Sequence, residues 1–331
     1  MVHGTSASSA RGDGDPGHRV PTGGRRRGPD GGRPRRTLLG DAGDLDGSTA
    51  CDQHGDLRQA LRTLTEDDHL AGAAVEVTDP VCGRWSDATG TADLGTGRPM
   101  NARDRLRIGS VTKTFTATVV LQLAAEHRIA LDAPVARYLP GLIEGNGHDG
   151  RKITVRQLLQ HTSGLPDYLG SPAWDHIERL RFRHFEPREL IARALRMPRP
   201  EGSGFHYATT NYLVTGRSAE SEITRRIIDP LRLHDTYWPG DDPRPRGPHS
   251  HSYFTTDQGT GRVDGTDWNM TFGGVGGALV SSSGDLERFF AALLGGRLLP
   301  GDRCPIRSCP TSTGAVTANR PLMTPSSRYA G

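Results

Sequence analysis

The stretch "RIGSVTKTFTATVVLQLAAEHRI", Arg107 to Ile129, sets a serine and a lysine three residues apart, Ser110 and Lys113, where a long apolar run begins. Phe115, Val119 and Leu123 recur at a spacing of four, with Val120, Leu121, Ala124 and Ala125 between them. A helix this apolar on most sides is a buried one. Gly109 can turn the incoming chain through a conformation other residues avoid. Residues three apart on a helix share a face, their Cβ atoms about 5–6 Å apart. Ser110 then stands at the helix start, where free N–H groups and the dipole favour negative charge. Lys113 is drawn into a poorly solvated place, which lowers an ammonium pKa. A serine hydroxyl needs a base to become a nucleophile, and a neutral lysine one turn away is such a base. Serine is also a common helix cap, so the spacing by itself describes an ordinary helix start equally well.

The 331 residues allow one large domain or two smaller ones, and a net charge of +3 selects no class of partner. Residues 1–54 are rich in Arg, Gly and Pro, with Arg25, Arg26, Arg27, Arg35 and Arg36 among them. They are expected to form a disordered basic tail with no nucleic-acid role. "TLLG" after Arg36 is too short an apolar run for a secretion signal, and no stretch reaches transmembrane length. Cys51, Cys82, Cys304 and Cys309 have neither zinc-site spacing nor a disulfide-framework pattern.

From Gly55 onward the patterns are those of a folded domain, expected over 55–301. Leu57, Leu61 and Leu64 have helical spacing, and "GAAVEVTDP" from Gly72 alternates like a strand that Asp79-Pro80 ends. Thr154 and Gln157 form a capping box before Leu158 and Leu159. "EPRELIARALRM" from Glu186 reads as a short amphipathic helix. "FGGVGGALVSSSGDLERFFAALLGG" reads as a strand, a capped start near Ser283, and a helix ending at Gly295. Strands at both ends with helices between them give an α+β class with a helical subdomain at roughly 109–264. His249 and His251 read as a surface loop, and His161 and His206 as hydrogen-bonded turn residues. Asp167 is explained by turn chemistry. Gly273 to Gly277 lack the dinucleotide fingerprint.

Taken together, "RIGSVTKTFTATVVLQLAAEHRIALDAPVARYLPGL", "ITVRQLLQHTSGLPDY", "FHYATTNYLVTG" and "LVSSSGDLERFFAALLGGRLL" resemble the serine β-lactamases and penicillin-recognising D-alanyl-D-alanine peptidases. The likeness is to the class C branch and runs from about Gly55 to Leu299. It implies an antiparallel sheet packed with helices plus an all-helical subdomain. It also implies a peptidoglycan-type peptide or β-lactam substrate, no cofactor and no metal. The family is usually exported or periplasmic, and a monomer is expected. Carried over by position, Ser110 is the acylated nucleophile, Lys113 its proton acceptor, and Tyr207 the phenol of a Y-x-N motif. Thr209 and Asn211 are the substrate-binding residues.

The chain departs from the family at three places. Thr209 stands where the family has asparagine, and restoring asparagine is expected to raise acylation. The helix after Tyr207 is shortened. No H-T-G or K-T-G strand is found, because "TSTG" at Thr311–Gly314 has no alternating pattern around it. Residues 302–331 are therefore expected to be unstructured, the sheet incomplete at its C-terminal side, and activity of the chain low. Two functions follow: a serine acyl-transfer hydrolase resembling D-Ala-D-Ala carboxypeptidase or β-lactamase, or an inactive remnant that is at most a binding module.

Overall fold

The computed structural model describes residues 54–299, apart from 68, 172–173, 175–176, 203, 215–218 and 256–261, together with the strand at 313–318. The expected basic tail at 1–54 lies outside the described residues except for His54, which is helical.

Helix α1 (His54–Glu66) lies on the sheet through Leu61, which packs with Ala73 and Val75 of β1 (Gly72–Asp79). Ala74, between them in sequence, faces the opposite side with Ala92 and Met100. Strand β1 is thus buried on both faces over its first half, as its run of small and branched residues allows. Asp79 ends it by accepting from the Val81 and Cys82 N–H groups, and β2 (Gly83–Asp93) returns antiparallel. Two short strands follow, β3 (Arg98–Pro99) beside β2 and β4 (Leu106–Arg107). Cys82 is disulfide-bonded, although the spacing of the cysteines shows no disulfide framework. Spacing along the chain could not show this, because the bond depends on the folded path.

Gly109, at φ +50°, turns the chain out of β4 into a single 3₁₀ turn, Gly109–Val111, that runs into α2 (Thr112–Ala125). This is the helix expected from the opening stretch, and Phe115, Val119, Val120 and Ala124 are buried along it. Phe115 stacks on Phe289 with ring centroids 3.8 Å apart. The small hairpin of β5 (Glu144–Gly145) and β6 (His148–Asp149) precedes α3 (Val155–Leu159). Thr154 and Gln157 make the expected capping box at the start of α3. Next come α4 (Pro187–Leu195), α5 (Thr210–Leu213) and α6 (Ala219–Ile223). A core of Leu158, Leu165, Tyr168, Trp174, Phe185 and Leu190 joins the first of these helices. A second core holds α2 to Ile223, Ile227, Leu279 and Phe289.

After the hairpin of β7 (Tyr253–Thr255) and β8 (Arg262–Asp264), the strand β9 (Val280–Ser281) pairs with β4. Helix α7 (Ser283–Leu294) starts at the Ser282 cap and stops at Gly295. The last element departs, over 313–318, from the expectation that residues 302–331 are unstructured; the rest of that segment lies outside the described residues. Thr313–Ala318 form β10, antiparallel to β1 with Val316 opposite Val75. The sheet order is β10-β1-β2-β3. The segment "TGAVTA" has one branched apolar residue among small ones, so periodicity gave no signal, and its pairing is set by the partner strand. The α+β class stands. No helix among the described residues is long and apolar enough to cross a membrane.

Candidate active site

Ser110 lies exposed at the mouth of α2, while Lys113 one turn deeper is 6 % exposed. The Lys113 Nζ is 3.3 Å from the Ser110 Oγ and donates to the Gly276 carbonyl at 2.7 Å. From the other side the Tyr207 hydroxyl donates to the same Oγ at 2.7 Å. The Nζ also sits 4.9 Å from the Tyr207 ring centre and 5.7 Å from that of Tyr212. Three residues from two distant segments therefore meet on one oxygen.

Burial favours the neutral form of both partners of that oxygen, and so moves their pKa values in opposite directions. The Lys113 ammonium is pushed down from 10.5 to about 8, chiefly by loss of water, with the nearby Asp167 carboxylate opposing the change. The Tyr207 phenol is raised, again chiefly by burial, with its bond to Ser110 opposing and Asp167 adding to the rise. At neutral pH the phenol holds its proton and the lysine readily gives one up, a division of labour between acid and base.

Asp167 caps the 3₁₀ turn Tyr168–Gly170, as turn chemistry predicts, accepting from the Leu169 N–H at 3.2 Å. Its carboxyl is raised by burial, against the N–H groups of Leu169 and Thr209, the charge of Lys113 and the Thr209 hydroxyl. Thr209 adjoins Asp167, where its N–H and hydroxyl favour the ionised carboxyl, and it is 5 % exposed. Asn211 is fully buried. Its Oδ1 accepts from Ser163 at 2.6 Å and its Nδ2 meets His161 Nδ1 at 3.1 Å. Thr209 and Asn211, expected to contact substrate, are both buried here, Thr209 beside Asp167 and Asn211 bonded to Ser163 and His161.

Sequence reasoning passed over three groups that the structure brings to the site. His161 stacks on Tyr207 with centroids 4.4 Å apart. Asp167, besides its turn role, carries its charge near enough to act on Lys113. Gly276 offers its carbonyl to Lys113, and a Cβ there would come within 2.9 Å of the Thr209 methyl. That close approach is a physical reason for the glycine run at 273–277. His249 and His251 stack in a loop, with His251 bonded to Asp264 at 2.7 Å. Among the described residues no cluster of His, Cys, Asp and Glu could hold a metal ion.

The β-lactamase family model matches residues 57–323, which takes in β10. The chain is 33% identical over 165 residues to esterase EstB of Burkholderia gladioli, covering 45% of this chain and 42% of that protein. It is 35% identical over 145 residues to a D-aminopeptidase of Cereibacter sphaeroides, covering 44% and 27% respectively. These matches span less than half the length of either curated relative. A crystal structure of a D-stereospecific amidohydrolase from Streptomyces sp. superposes with a TM-score of 0.69 at 38% identity, covering 75% of each chain. An extensive family match, a shared fold and a serine held between a lysine and a tyrosine agree: this chain belongs to the β-lactamase family.

Proposed function

We propose that the chain is a serine acyl-transfer hydrolase acting on amide bonds through an acyl-enzyme on Ser110. The observation that carries this reading is the Ser110 Oγ, exposed to solvent and within 3.3 Å of a lysine whose ammonium is pushed down to about 8. Neutral Lys113 takes the serine proton as Oγ attacks the substrate carbonyl. The oxyanion is held by backbone N–H groups, that of Ser110 among them, each worth about 2.7–4 kcal/mol in such sites. Tyr207 passes its proton to the leaving nitrogen and is restored from Lys113. Water then attacks the ester, with the same groups serving in reverse.

Peptides and β-lactams are the substrates of the family, and the names of two relatives point more narrowly to amides of D-amino acids. The charge of the site agrees with that choice. Asp167 places a carboxylate near Lys113, which suits a substrate carrying a free ammonium better than one carrying a C-terminal carboxylate.

The test is labelling with a fluorescent penicillin and mapping of the adduct by mass spectrometry, together with hydrolysis of D-phenylalanine p-nitroanilide. Label on Ser110 that Ser110→Ala abolishes, with release of nitroaniline, is the expected result. Label on another residue overturns the assignment. No label and no hydrolysis favour the alternative of a non-catalytic binding module.

A further inference from the structure

His161 occupies a left-handed backbone conformation, φ 57°, which is uncommon for a residue with a side chain. The turn follows the end of α3 and aims both the carbonyl and the imidazole of His161 at the segment carrying Tyr207. The His206 N–H donates to the His161 carbonyl at 2.7 Å. The Ala208 N–H donates to the His161 Nδ1 at 3.1 Å. The imidazole itself stacks on the phenol ring between those two bonds, 25° from parallel. Tyr207 is thus held at the residue before it, at the residue after it, and on its own ring, all by one residue.

We propose that His161 is the positioning residue for Tyr207, a neutral imidazole clamp that keeps the phenol on the Ser110 Oγ. Its kinetic consequence rests on the acyl-transfer reading above. Tyr207 is 44 % exposed, so solvent contact leaves much of its ring without packing of its own. A phenol on the surface needs such a support to stay within 2.7 Å of one oxygen.

The clamp works in one protonation state. Nδ1 accepts from Ala208 and faces the Asn211 amide at 3.1 Å, while Ser163 holds the other end of that amide at 2.6 Å. Two donors on Nδ1 leave no place for a proton there, so the ring hydrogen is on Nε2. The titratable groups facing the imidazole are Lys113, Tyr207 and Tyr212. Burial first, then the charge of Lys113, push the imidazole down to about 4. The clamp is therefore neutral wherever Lys113 can act as a base. A proton on Nδ1 would turn it from acceptor to donor against two other donors and release the segment.

Two substitutions separate the parts. His161→Asn tolerates the left-handed backbone and keeps an acceptor near the Nδ1 position, but removes the ring. His161→Phe keeps a ring and removes the acceptor. Each is measured in the full chain, with a fluorescent penicillin as the probe. Both are expected to lower the acylation rate constant about tenfold or more, with the apparent binding constant nearly unchanged. In a Tyr207→Phe background the same changes are expected to alter the rate by less than about twofold, because their effect passes through the phenol. An equal loss in both backgrounds, or an unchanged rate, overturns the proposal. A second readout needs no activity: nitrogen NMR of His161 and the ring resonances of Tyr207. The Nε2–H tautomer at neutral pH and a displaced Tyr207 signal in His161→Asn are expected. A protonated Nδ1, or a Tyr207 signal that does not move, refutes the clamp even if the wild-type chain acylates nothing.

Discussion

Replacing Lys113 by methionine removes a buried charge while keeping an unbranched side chain of similar length. In the wild type the lysine falls from 10.5 to about 8, mainly because the folded protein strips its water. At pH 7 about one folded molecule in ten then carries the neutral amine, against about one in three thousand for an ordinary lysine. The same drop costs folding stability of about 3 kcal/mol wherever the amine is protonated in both states. The pH window follows from the direction of the change. Below about pH 8 the folded state must bury an ammonium, and the cost is complete. From pH 8 to 10.5 the folded lysine is neutral while the unfolded one still binds a proton, and the cost shrinks. Above 10.5 both are neutral and it is gone. Loss of the bond to the Gly276 carbonyl costs Lys113→Met about 1–3 kcal/mol at every pH. The stability of the wild type relative to the variant is therefore expected to rise by up to about 3 kcal/mol between pH 8 and 10.5, and to be level below that window. Urea unfolding of both proteins across the range measures it, since other titrating groups cancel in the difference. Wild-type acylation by a fluorescent penicillin is expected to climb with an apparent pKa of about 8. A stability difference that stays constant through the window, or acylation indifferent to pH from 6 to 9, would refute the burial of a titrating lysine.

Asp167→Asn removes the charge that holds the Lys113 ammonium up, so the acid limb of the acylation profile should move to lower pH; a move to higher pH would contradict their attraction. Thr209→Asn, expected from sequence to raise acylation, should instead lower it and destabilise the fold by about 1 kcal/mol, because Thr209 serves Asp167 and its methyl is packed against Gly276. A faster acylation rate in that variant would restore the sequence-based expectation. Phe115→Ala should cost about 3–5 kcal/mol in denaturant unfolding, given a fully buried ring stacked on Phe289. A loss under about 1 kcal/mol would show that the two cores do not depend on this contact.

What could be read in the sequence was what is encoded locally. The spacing of Ser110 and Lys113, the box of Thr154 and Gln157 and the cap before α7 each lie within one turn of chain, and the structure has all three. Tyr207 was found only through likeness of its neighbourhood, since nothing near it in sequence says that it meets Ser110. Strand β10 escaped because a strand of small residues gains its identity from the partner it pairs with, here β1. His161 and Asp167 were read as turn residues, which they are. The stacking of His161 on Tyr207 and the charge of Asp167 near Lys113 come from segments brought together by the fold.

The loss of an asparagine after Tyr207 has a consequence that the sequence hid. A single amide supplies a donor and an acceptor from one side chain, whereas Thr209 has only a hydroxyl. In this chain Asp167 lies near Lys113 and Thr209 lies beside Asp167, so a carboxyl and a hydroxyl share the polar surface there. The replacement is not neutral, because a carboxylate draws on the lysine charge as an amide does not. Burial lowers the Lys113 ammonium, and Asp167 limits how far it falls, so the two effects together set the pH at which Ser110 can be activated.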